Sequence, residues 1–448
     1  MMTRQNGVID WSTSHNSPLE YSKLALIDFA HQAVKKPRTP LHLPHKIIQP
    51  VTSAKYLGVI FDQNLNWKPQ LAQVTAKGSI WASQIRRATC PSWGITLKYA
   101  RRLFIGVALP KVLYAIDIWC TPTHSTEGGA RARGSAKVIK LLTGVQRAGT
   151  LAITGGLRTS PTDTLDACAY TIPAELLIEK WCFKAAVRLT RVPPEHPLFK
   201  LVKVSANRNV KKHAAPLHNL MHAYKLNPTT ISKIAPAVRN PMNLSQLPLR
   251  VSIANSKEQS KLDASNATEV IKVYSDGSEI NGKVGAAALL LRLGKPPRTL
   301  HYHLGSDATH NIQEAEMVGL LLGMHLIKTE TAGNASVALG TDNQAAIKTL
   351  QTNLIQPNQK IALAVLETAA STQKRRGTYR YSLTLRWTAG HSGIEGNEKA
   401  DRAAKAAAGG TTSDKHLLPS LLRRELTSNP SALNGKRNEK IKEKWKEV

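Results

Sequence analysis

The sequence predicts an α/β fold for residues 268–410, a mixed sheet of five strands with flanking helices, preceded by a mainly helical region. Two observations support this prediction. After residue 268, three strand-like segments follow one another, and strands and helices then alternate, as in a mixed sheet covered by helices. Residues 69–220 instead carry mainly helix-like apolar periodicity. The chain has 448 residues, 42% of them hydrophobic, which suits two to four domains with real cores.

The predicted sheet begins as a meander, because Asn281-Gly282 is typical of a tight turn between two strands. The second strand is an almost continuous apolar run, which is typical of a strand buried on both faces. The five predicted strands are Val270–Asp276, Val284–Arg292, Thr299–Leu304, Ser336–Thr341 and Arg380–Trp387.

Four helices are predicted among these strands. The first begins with Asn311 and has Glu314 three residues later, a spacing that resembles a capping box. The tail, residues 411–448, is basic and polar, and we expect it to end in a solvated helix. The four helices are 311–328, Asn343–Leu354, Pro357–Lys374 and Asn397–Ala408.

Before residue 268 the sequence predicts one clear strand, Lys55–Asp62, where apolar and β-branched residues cluster. Residues 226–266 hold several prolines and many Asn and Ser residues, which favours a linker. The clearest helices predicted in this half are Leu97–Val107, Ala136–Ile153 and Pro173–Leu189.

The charge is strongly basic, with 61 Lys and Arg residues against 30 Asp and Glu residues. Residues 1–269 carry most of the excess, 36 basic against 14 acidic residues. This favours a polyanionic partner, with a merely basic soluble protein and an anionic membrane surface as alternatives. No apolar run reaches the roughly 20 residues of a spanning helix, and the first residues do not resemble a signal peptide. We expect a soluble intracellular protein.

The cysteines are few and widely spaced, and no Cys-x-x-Cys pair occurs. A structural zinc site is therefore not predicted, and buried thiols in a reducing compartment are expected. The four are Cys90, Cys120, Cys168 and Cys182.

Four acids fall where the predicted elements can bring them together: Asp276, Glu316, Asp342 and Asp401. The two aspartates at predicted strand ends share a sheet edge if their strands are neighbours. The glutamate lies in the second turn of its helix, and the last aspartate opens the final helix. Taken singly, Asp342 can be a helix N-cap and Asp401 a first-turn partner of the helix dipole.

Four clustered carboxylates repel one another and raise one another's pKa, a cost that divalent cations reverse. Carboxylate oxygens suit Mg²⁺, and two ions about 4 Å apart can clamp a phosphodiester during hydrolysis. His391 lies in a loop with glycines on both sides, where an imidazole can move protons. Its alternative interpretation is an ordinary surface histidine.

Residues 268–410 resemble type 1 ribonuclease H in four ordered blocks. The resemblance implies cleavage of the RNA strand of RNA–DNA hybrids with two Mg²⁺ or Mn²⁺ ions, and 5′-phosphate products. It also implies metal binding by Asp276, Glu316, Asp342 and Asp401, and an auxiliary role for His391. The blocks are Tyr274-Ser275-Asp276-Gly277-Ser278, Glu314-Ala315-Glu316-Met317, Thr341-Asp342-Asn343, and the segment from Gly390-His391-Ser392-Gly393 to Asp401.

Residues 16–35 and 55–200 resemble the downstream part of a reverse transcriptase from a non-LTR retrotransposon. That family's polymerase site needs an Asp-Asp pair, which this sequence lacks, so no polymerase activity is expected. The nucleus is the compartment that such an origin suggests. The resemblance to this reverse transcriptase rests on four segments: His15–Lys23, Tyr56–Asp62, Leu109–Tyr114 and Arg158–Asp163.

These resemblances give the predicted organisation of the chain. Residues 1–62 are expected to be a palm remnant, 63–225 a thumb and connection-like region, and 226–267 a linker. The ribonuclease H domain at 268–410 and the basic tail at 411–448 follow. In the helical region, basic side chains such as Arg101 are expected either to hold duplex phosphates or to be ordinary solvated residues.

Two other functions remain open. A nucleic-acid-binding relic would keep the fold and cut nothing. A transposase or integrase would use the same fold with three acids in a different order of elements, and the fourth acid, Asp401, disfavours that reading.

Overall fold

A computed structural model describes residues 2–447 except 30–38, 45, 90–92, 125–133, 209–214, 235–243, 248, 331–334, 353–357 and 377–381. The chain divides into two compact units. The first is Met1–Cys182 with Lys211–Ala223 and Trp445–Val448, and the second is Phe183–Val210 with Tyr224–Lys444. In the described residues, no helix is both long and apolar enough to span a membrane.

The first unit is mainly helical, as predicted. Helices α2 and α6 pack against each other, and a core of small and branched side chains joins α2, α3 and α6. Its elements are α1 Val8–Ser14, β1 Leu41–Leu43, β2 Lys46–Ile48, β3 Ser53–Tyr56, β4 Val59–Asp62, α2 Lys68–Ala88, α3 Leu97–Leu103, a π-helical stretch Phe104–Ala108, α4 Leu109–Val112, α5 Ile116–Trp119, α6 Ala136–Thr154 and α7 Thr162–Cys168.

The prediction of a single strand over residues 55–62 is wrong. Strands β3 and β4 form an antiparallel hairpin with Tyr56 paired to Val59. Leu57 and Gly58 make the turn, with φ of 46° and 87°. Both values lie in the left-handed region, which matches a tight hairpin turn. The Leu57 side chain is exposed at this turn. The apolar run hid this turn from pattern analysis.

Arg101 was expected either to bind a phosphate or to be an ordinary solvated residue. In the structure its side chain instead connects two helices. Its guanidinium donates to the backbone carbonyls of Ala169 and Tyr170 at 2.7 to 3.2 Å. These bonds tie α3 to the end of α7.

The second unit holds the predicted mixed sheet, with six strands in the order β5-β10-β9-β6-β7-β8. Strands β6, β7 and β8 form the antiparallel meander, and β9, β10 and β5 continue in parallel. The ranges are β5 Arg250–Ser252, β6 Ile271–Ile280, β7 Lys283–Arg292, β8 Arg298–Ser306, β9 Val337–Thr341 and β10 Leu383–Trp387.

The helices after residue 173 include the four predicted around the sheet. Their ranges are α8 Ala174–Thr190, which spans the unit boundary, α9 Phe199–Asn207, α10 Pro216–Tyr224, α11 Lys257–Ser265, α12 Ile312–Thr329, α13 Gln344–Gln351, α14 Gln359–Arg376, α15 Glu395–Ala408 and α16 Pro430–Lys446.

The predicted linker contributes to this sheet. Strand β5 pairs with β10, and the Ser260 side chain on α11 accepts from the Ala389 backbone N–H at 2.9 Å. The prediction of five strands is therefore one short. The segment is too polar and too rich in proline for its three-residue strand to be visible in the sequence.

The tail is also more packed than predicted. Leu418 and Leu422 are buried in the core of the second unit, and Ile441 on α16 is 1% exposed. The predicted helix at the end of the tail is present as α16, and most of its residues are exposed or half-exposed, but Ala432 and Ile441 bury one side of it.

The sheet is covered on both faces. Val273 and Tyr274 alternate along β6, and they contact α12 at Gly323 and α15 at Gly396, respectively. Helix α12 lies between the sheet and α14, with thirteen buried residues. The second unit is thus a three-layer structure with α12 on one face and α15 on the other.

Close approach of α15 to the sheet depends on Gly285 in β7. A Cβ atom there would lie 2.0 Å from the backbone nitrogen of Ala408. We expect Gly285→Ala to destabilise the second unit by about 3 kcal/mol, because backbone cannot give way as a side chain can. Chemical denaturation measures this loss.

Gly435→Ala is the matched control. Apart from the adjoining backbone of α16 itself, no atom of the described residues lies within 4 Å of a Cβ atom at this position. The control should be neutral or stabilising by up to about 1 kcal/mol. Equal stability of the two variants would contradict the packing described here.

Candidate metal centre

Asp276 and Asp342 meet because of the register of two parallel strands. The last pair between β6 and β9 is Ser275 with Thr341, and each aspartate follows directly. Asp342 lies just past the end of β9, as predicted. Asp276 does not end its strand, because β6 pairs with β7 as far as Ile280. The parallel pairing, rather than the strand, ends there.

Glu316 reaches this edge from α12. Asn311 caps the helix by accepting from the Glu314 backbone N–H at 2.9 Å, so the predicted start is confirmed. Gly277 lets the helix approach β6, since a Cβ atom there would lie 2.6 Å from the Glu316 backbone nitrogen. Residue 316 is therefore placed beside Asp276 by backbone packing.

The other contact of the expected capping box, from the Glu314 side chain back to the Asn311 backbone, is a wrong prediction. The Glu314 carboxylate does not return to the Asn311 backbone but contacts the His310 ring nitrogen at 3.0 Å. Both side chains are 6% exposed. A buried histidine four residues earlier thus replaces the backbone as its partner, a contact that the cap pattern alone does not predict.

Three of the four predicted acids form one cluster. Asp276, Glu316 and Asp342 each offer a carboxylate oxygen within 4.8 Å of the others. Asp401 lies on the second turn of α15 and does not open the helix as predicted, because α15 begins at Glu395, and it is outside this group of three. Its carboxylate contacts the Lys405 ammonium at 2.7 Å. It is nevertheless near, because its charge raises the pKa of Asp276 and of Asp342.

The cluster holds its protons unusually tightly. Burial, then Asp276 and Asp342, raise the pKa of Glu316 to about 9. Burial, then Asp342 and Asp401, raise the pKa of Asp276 to about 7. Burial also raises the pKa of Asp342, although His391 opposes the shift. Gathering these charges without a cation is therefore unfavourable.

The donor set fits a divalent ion. The Glu316 Oε2 atom is buried and has no hydrogen-bond partner among the described residues. An unpartnered buried carboxylate oxygen is costly unless a cation satisfies it. Oxygen ligands of this kind suit Mg²⁺ or Mn²⁺. Asp276, Glu316 and Asp342 are the residues that would hold such an ion, with Asp401 beside them.

His391 lies at the edge of this cluster. Its backbone has a left-handed φ of 48°, and its side chain is exposed. Its charge lowers the pKa of Asp342, which places the ring near that carboxylate. The Ser392 hydroxyl donates to the Ala389 carbonyl and closes the turn that presents the histidine.

Lys405 is a site residue that the motif analysis missed. It lies four residues after Asp401 on α15, a spacing that places the two side chains on one helix face. The same spacing could have identified it. Asn343, and not Asp342, is the N-cap of α13, so the alternative interpretation of Asp342 as a helix cap is wrong. The Asn343 side chain also donates to Gln313 at 3.4 Å.

Removal of the Lys405 charge should strengthen divalent-ion binding. The Lys405 ammonium forms an ion pair with the Asp401 carboxylate. It also lies close enough to Asp276 for the negative charge of that carboxylate to raise the pKa of Lys405. Because Lys405 is about half exposed, we expect only about a two- to fivefold gain for Lys405→Gln. Titration with Mn²⁺ measures it.

Lys399→Gln is the control on the same helix. Its ammonium contacts Glu395 at 2.6 Å in the same i, i+4 arrangement, outside the cluster. Its Mn²⁺ affinity should match that of the wild type. An equal gain in both variants would mean that Lys405 acts only through general charge.

Residues 268–409 match the model of the RNase H family. The fold and the acidic cluster thus define an RNase H-like domain in this part of the chain. No curated protein matches the chain.

Several solved structures are similar over about a third of the chain. The N-terminal RNase H domain of rv2228c from Mycobacterium tuberculosis, solved as a fusion with maltose binding protein, is 17% identical, with coverage of 32% of this chain and 95% of that chain and a TM-score of 0.25. RNase H1 from Halobacterium salinarum NRC-1 is 13% identical, with coverage of 32% and 98% and a TM-score of 0.24. LC11-RNase H1 in complex with an RNA/DNA hybrid is 14% identical, with coverage of 31% and 96% and a TM-score of 0.24.

Proposed function

We propose that the chain is an endoribonuclease that hydrolyses the RNA strand of RNA–DNA hybrids with two divalent ions, Mg²⁺ or Mn²⁺. The observation that carries the proposal is the cluster of Asp276, Glu316 and Asp342, whose ligand oxygens lie within 4.8 Å of one another. The Glu316 Oε2 atom has no hydrogen-bond partner in the described part of the chain. The match of residues 268–409 to the RNase H family supports the substrate class.

The catalytic roles in this proposal are the following. Asp276, Glu316, Asp342 and Asp401 hold the ions, which when bound would lower the pKa of a water and neutralise charge on the phosphate. His391, exposed beside Asp342, holds or releases a proton at its imidazole. Lys405 keeps Asp401 oriented until an ion competes for it.

The substrate selectivity proposed here comes from the 2′-hydroxyl groups on one strand of a hybrid. Asn343 and Gln344 follow Asp342 directly and have polar side chains suited to contact them. The basic run Lys374-Arg375-Arg376 is a candidate grip for the duplex. The side chains of Arg375 and Arg376 lie outside the described residues.

The activity test uses the full chain with Mg²⁺ and three labelled substrates of one sequence: an RNA–DNA hybrid, duplex RNA and duplex DNA. We expect cleavage of the hybrid alone, with 5′-phosphate products, and none with EDTA. Cleavage of duplex RNA at an equal rate would contradict hybrid specificity.

The second candidate is a catalytically silent relic of a retrotransposon reverse transcriptase that binds nucleic acid. The basic excess in residues 1–269 favours binding. Hybrid binding without cleavage in Mg²⁺ and in Mn²⁺ would establish this candidate in place of the first.

A further inference from the structure

A second site candidate is a cavity of about 670 Å³ in the second unit. None of the four predicted metal-binding acids lines it. Its walls come from Glu314 on α12, the start of α14, the segment that leads into the start of α16, and residues 191 and 232–234. We call it the basic pocket. Its volume is within the range of roughly 300–1,000 Å³ that small-molecule sites have.

The walls of the basic pocket are held by backbone hydrogen bonds. Ser232 donates to the Ser428 carbonyl at 3.0 Å, and Ile234 donates to the Arg191 carbonyl at 2.9 Å. Asn429 joins the other walls, since its side chain donates to the Asn358 side chain at 2.6 Å. The cavity is therefore a formed site rather than a gap between loose segments.

Cationic side chains dominate the lining. Five are basic: Arg191, Lys233, Lys360, Arg423 and Arg424. Two are acidic, and one of these, Glu314, is engaged with His310. No ion pair joins any of the five to an acid in the described part of the chain. The pocket thus concentrates positive charge in excess, because the second acid, Glu425, is one carboxylate against five cations.

This concentration is unfavourable in the free protein. Lys233 is half-buried, and burial together with the nearby Lys360 lowers its pKa. Burial also lowers the pKa of Arg191. The Lys233 ammonium donates to the Thr190 carbonyl at 2.5 Å, which leaves two further N–H donors on Lys233. A bound anion would relieve the repulsion, as a cation would at the carboxylate cluster.

The pocket also has an apolar part, formed by Ile361, Leu421 and Leu426. A simple inorganic anion gains nothing from contact with an apolar surface, whereas a nucleobase can pack against it. Several converging cations suit the double charge of a phosphate monoester better than the single charge of a backbone diester.

We propose that the basic pocket binds a nucleoside with a terminal phosphate, either a free nucleotide or the 5′-phosphorylated end of an oligonucleotide. Arg191, Lys233 and Lys360 contact the phosphate, and the apolar part holds the base. Binding at this site does not depend on nuclease activity, because no residue of the carboxylate cluster lines it.

The test is calorimetry on the full chain in EDTA at physiological salt. The ligands are adenosine 5′-monophosphate, adenosine, inorganic phosphate, and a DNA trinucleotide with and without a 5′-phosphate. At least one phosphorylated nucleoside ligand should bind at least about tenfold more tightly than its unphosphorylated form and than inorganic phosphate. Binding of the mononucleotide alone identifies a free nucleotide, and binding of the trinucleotide alone identifies a strand end.

Two variants localise the site. Lys360→Gln removes an exposed charge at the start of α14, and Lys233→Gln removes the half-buried one. Each should weaken binding by roughly tenfold, with unchanged circular dichroism. Lys440→Gln, an exposed lysine of α16 outside the pocket, should have no effect. Failure of both pocket variants to weaken binding, or equal binding of phosphorylated and unphosphorylated ligands, would overturn the proposal.

Discussion

Asp276→Asn is expected to reduce hybrid cleavage by roughly 10³-fold while hybrid binding is retained. Asparagine keeps the size of the side chain but removes the charge at the centre of the cluster. The fold should tolerate it, because Asp276 already has a pKa of about 7 and asparagine resembles its protonated form. Initial rates on a labelled hybrid and fluorescence anisotropy measure the two effects.

Asp414→Asn is the matched control for this variant. Asp414 is exposed in the same unit and lies outside the cluster. The control should cleave at the wild-type rate. Cleavage by Asp276→Asn near the wild-type rate would remove Asp276 from the metal-binding residues.

Glu316→Gln should stabilise the metal-free protein at high pH, although it removes activity. The folded-state pKa of Glu316 is about 9 against a model-compound value of 4.5, so the folded state holds a proton that the unfolded state has released. Its contribution to stability therefore falls as pH rises from about 4.5 to about 9. Glutamine does not titrate and avoids this loss.

The melting temperature of the metal-free protein measures this effect between pH 5 and 9. We expect Glu316→Gln to melt about 5 °C higher than the wild type at pH 8 and with a smaller fall across the range. Mg²⁺ should raise the wild-type melting temperature at pH 8 and leave the variant almost unchanged.

Glu367→Gln is the control, since Glu367 is exposed on α14. It should follow the wild type at every pH. If the melting temperatures of Glu316→Gln and of the wild type fall in parallel as the pH rises, ionisation of Glu316 is not the cause of the loss of stability.

The sheet and the cluster were predictable because their signals are local. Strand β7 is an unbroken apolar run, Asn311 caps its helix, and the strands before Asp276 and Asp342 are apolar enough to identify. The parallel pairing of β6 and β9 that brings the two aspartates together was a condition of the prediction, because the sequence indicates where strands end but not which strands are neighbours. The match of residues 268–409 to the RNase H family is consistent with that prediction.

The features that the sequence did not predict share a physical cause. Each depends on contacts with residues far away in the sequence. Strand β5 is only three residues long and exists because β10 offers an open edge. Leu418 and Leu422 are buried by a core formed far earlier in the sequence. The hairpin turn at Leu57 breaks an apolar run that alone favours one strand. No local pattern encodes these contacts.

Direct titration with Mn²⁺, followed by the paramagnetic resonance of the free ion, tests the central claim that the clustered carboxylates form a divalent-metal site. The wild-type chain should bind Mn²⁺ saturably, and Asp276→Asn and Glu316→Gln should each lose this binding, with Mg²⁺ competing at the same site. Unchanged Mn²⁺ binding in the double variant Glu316→Gln and Asp342→Asn would contradict it.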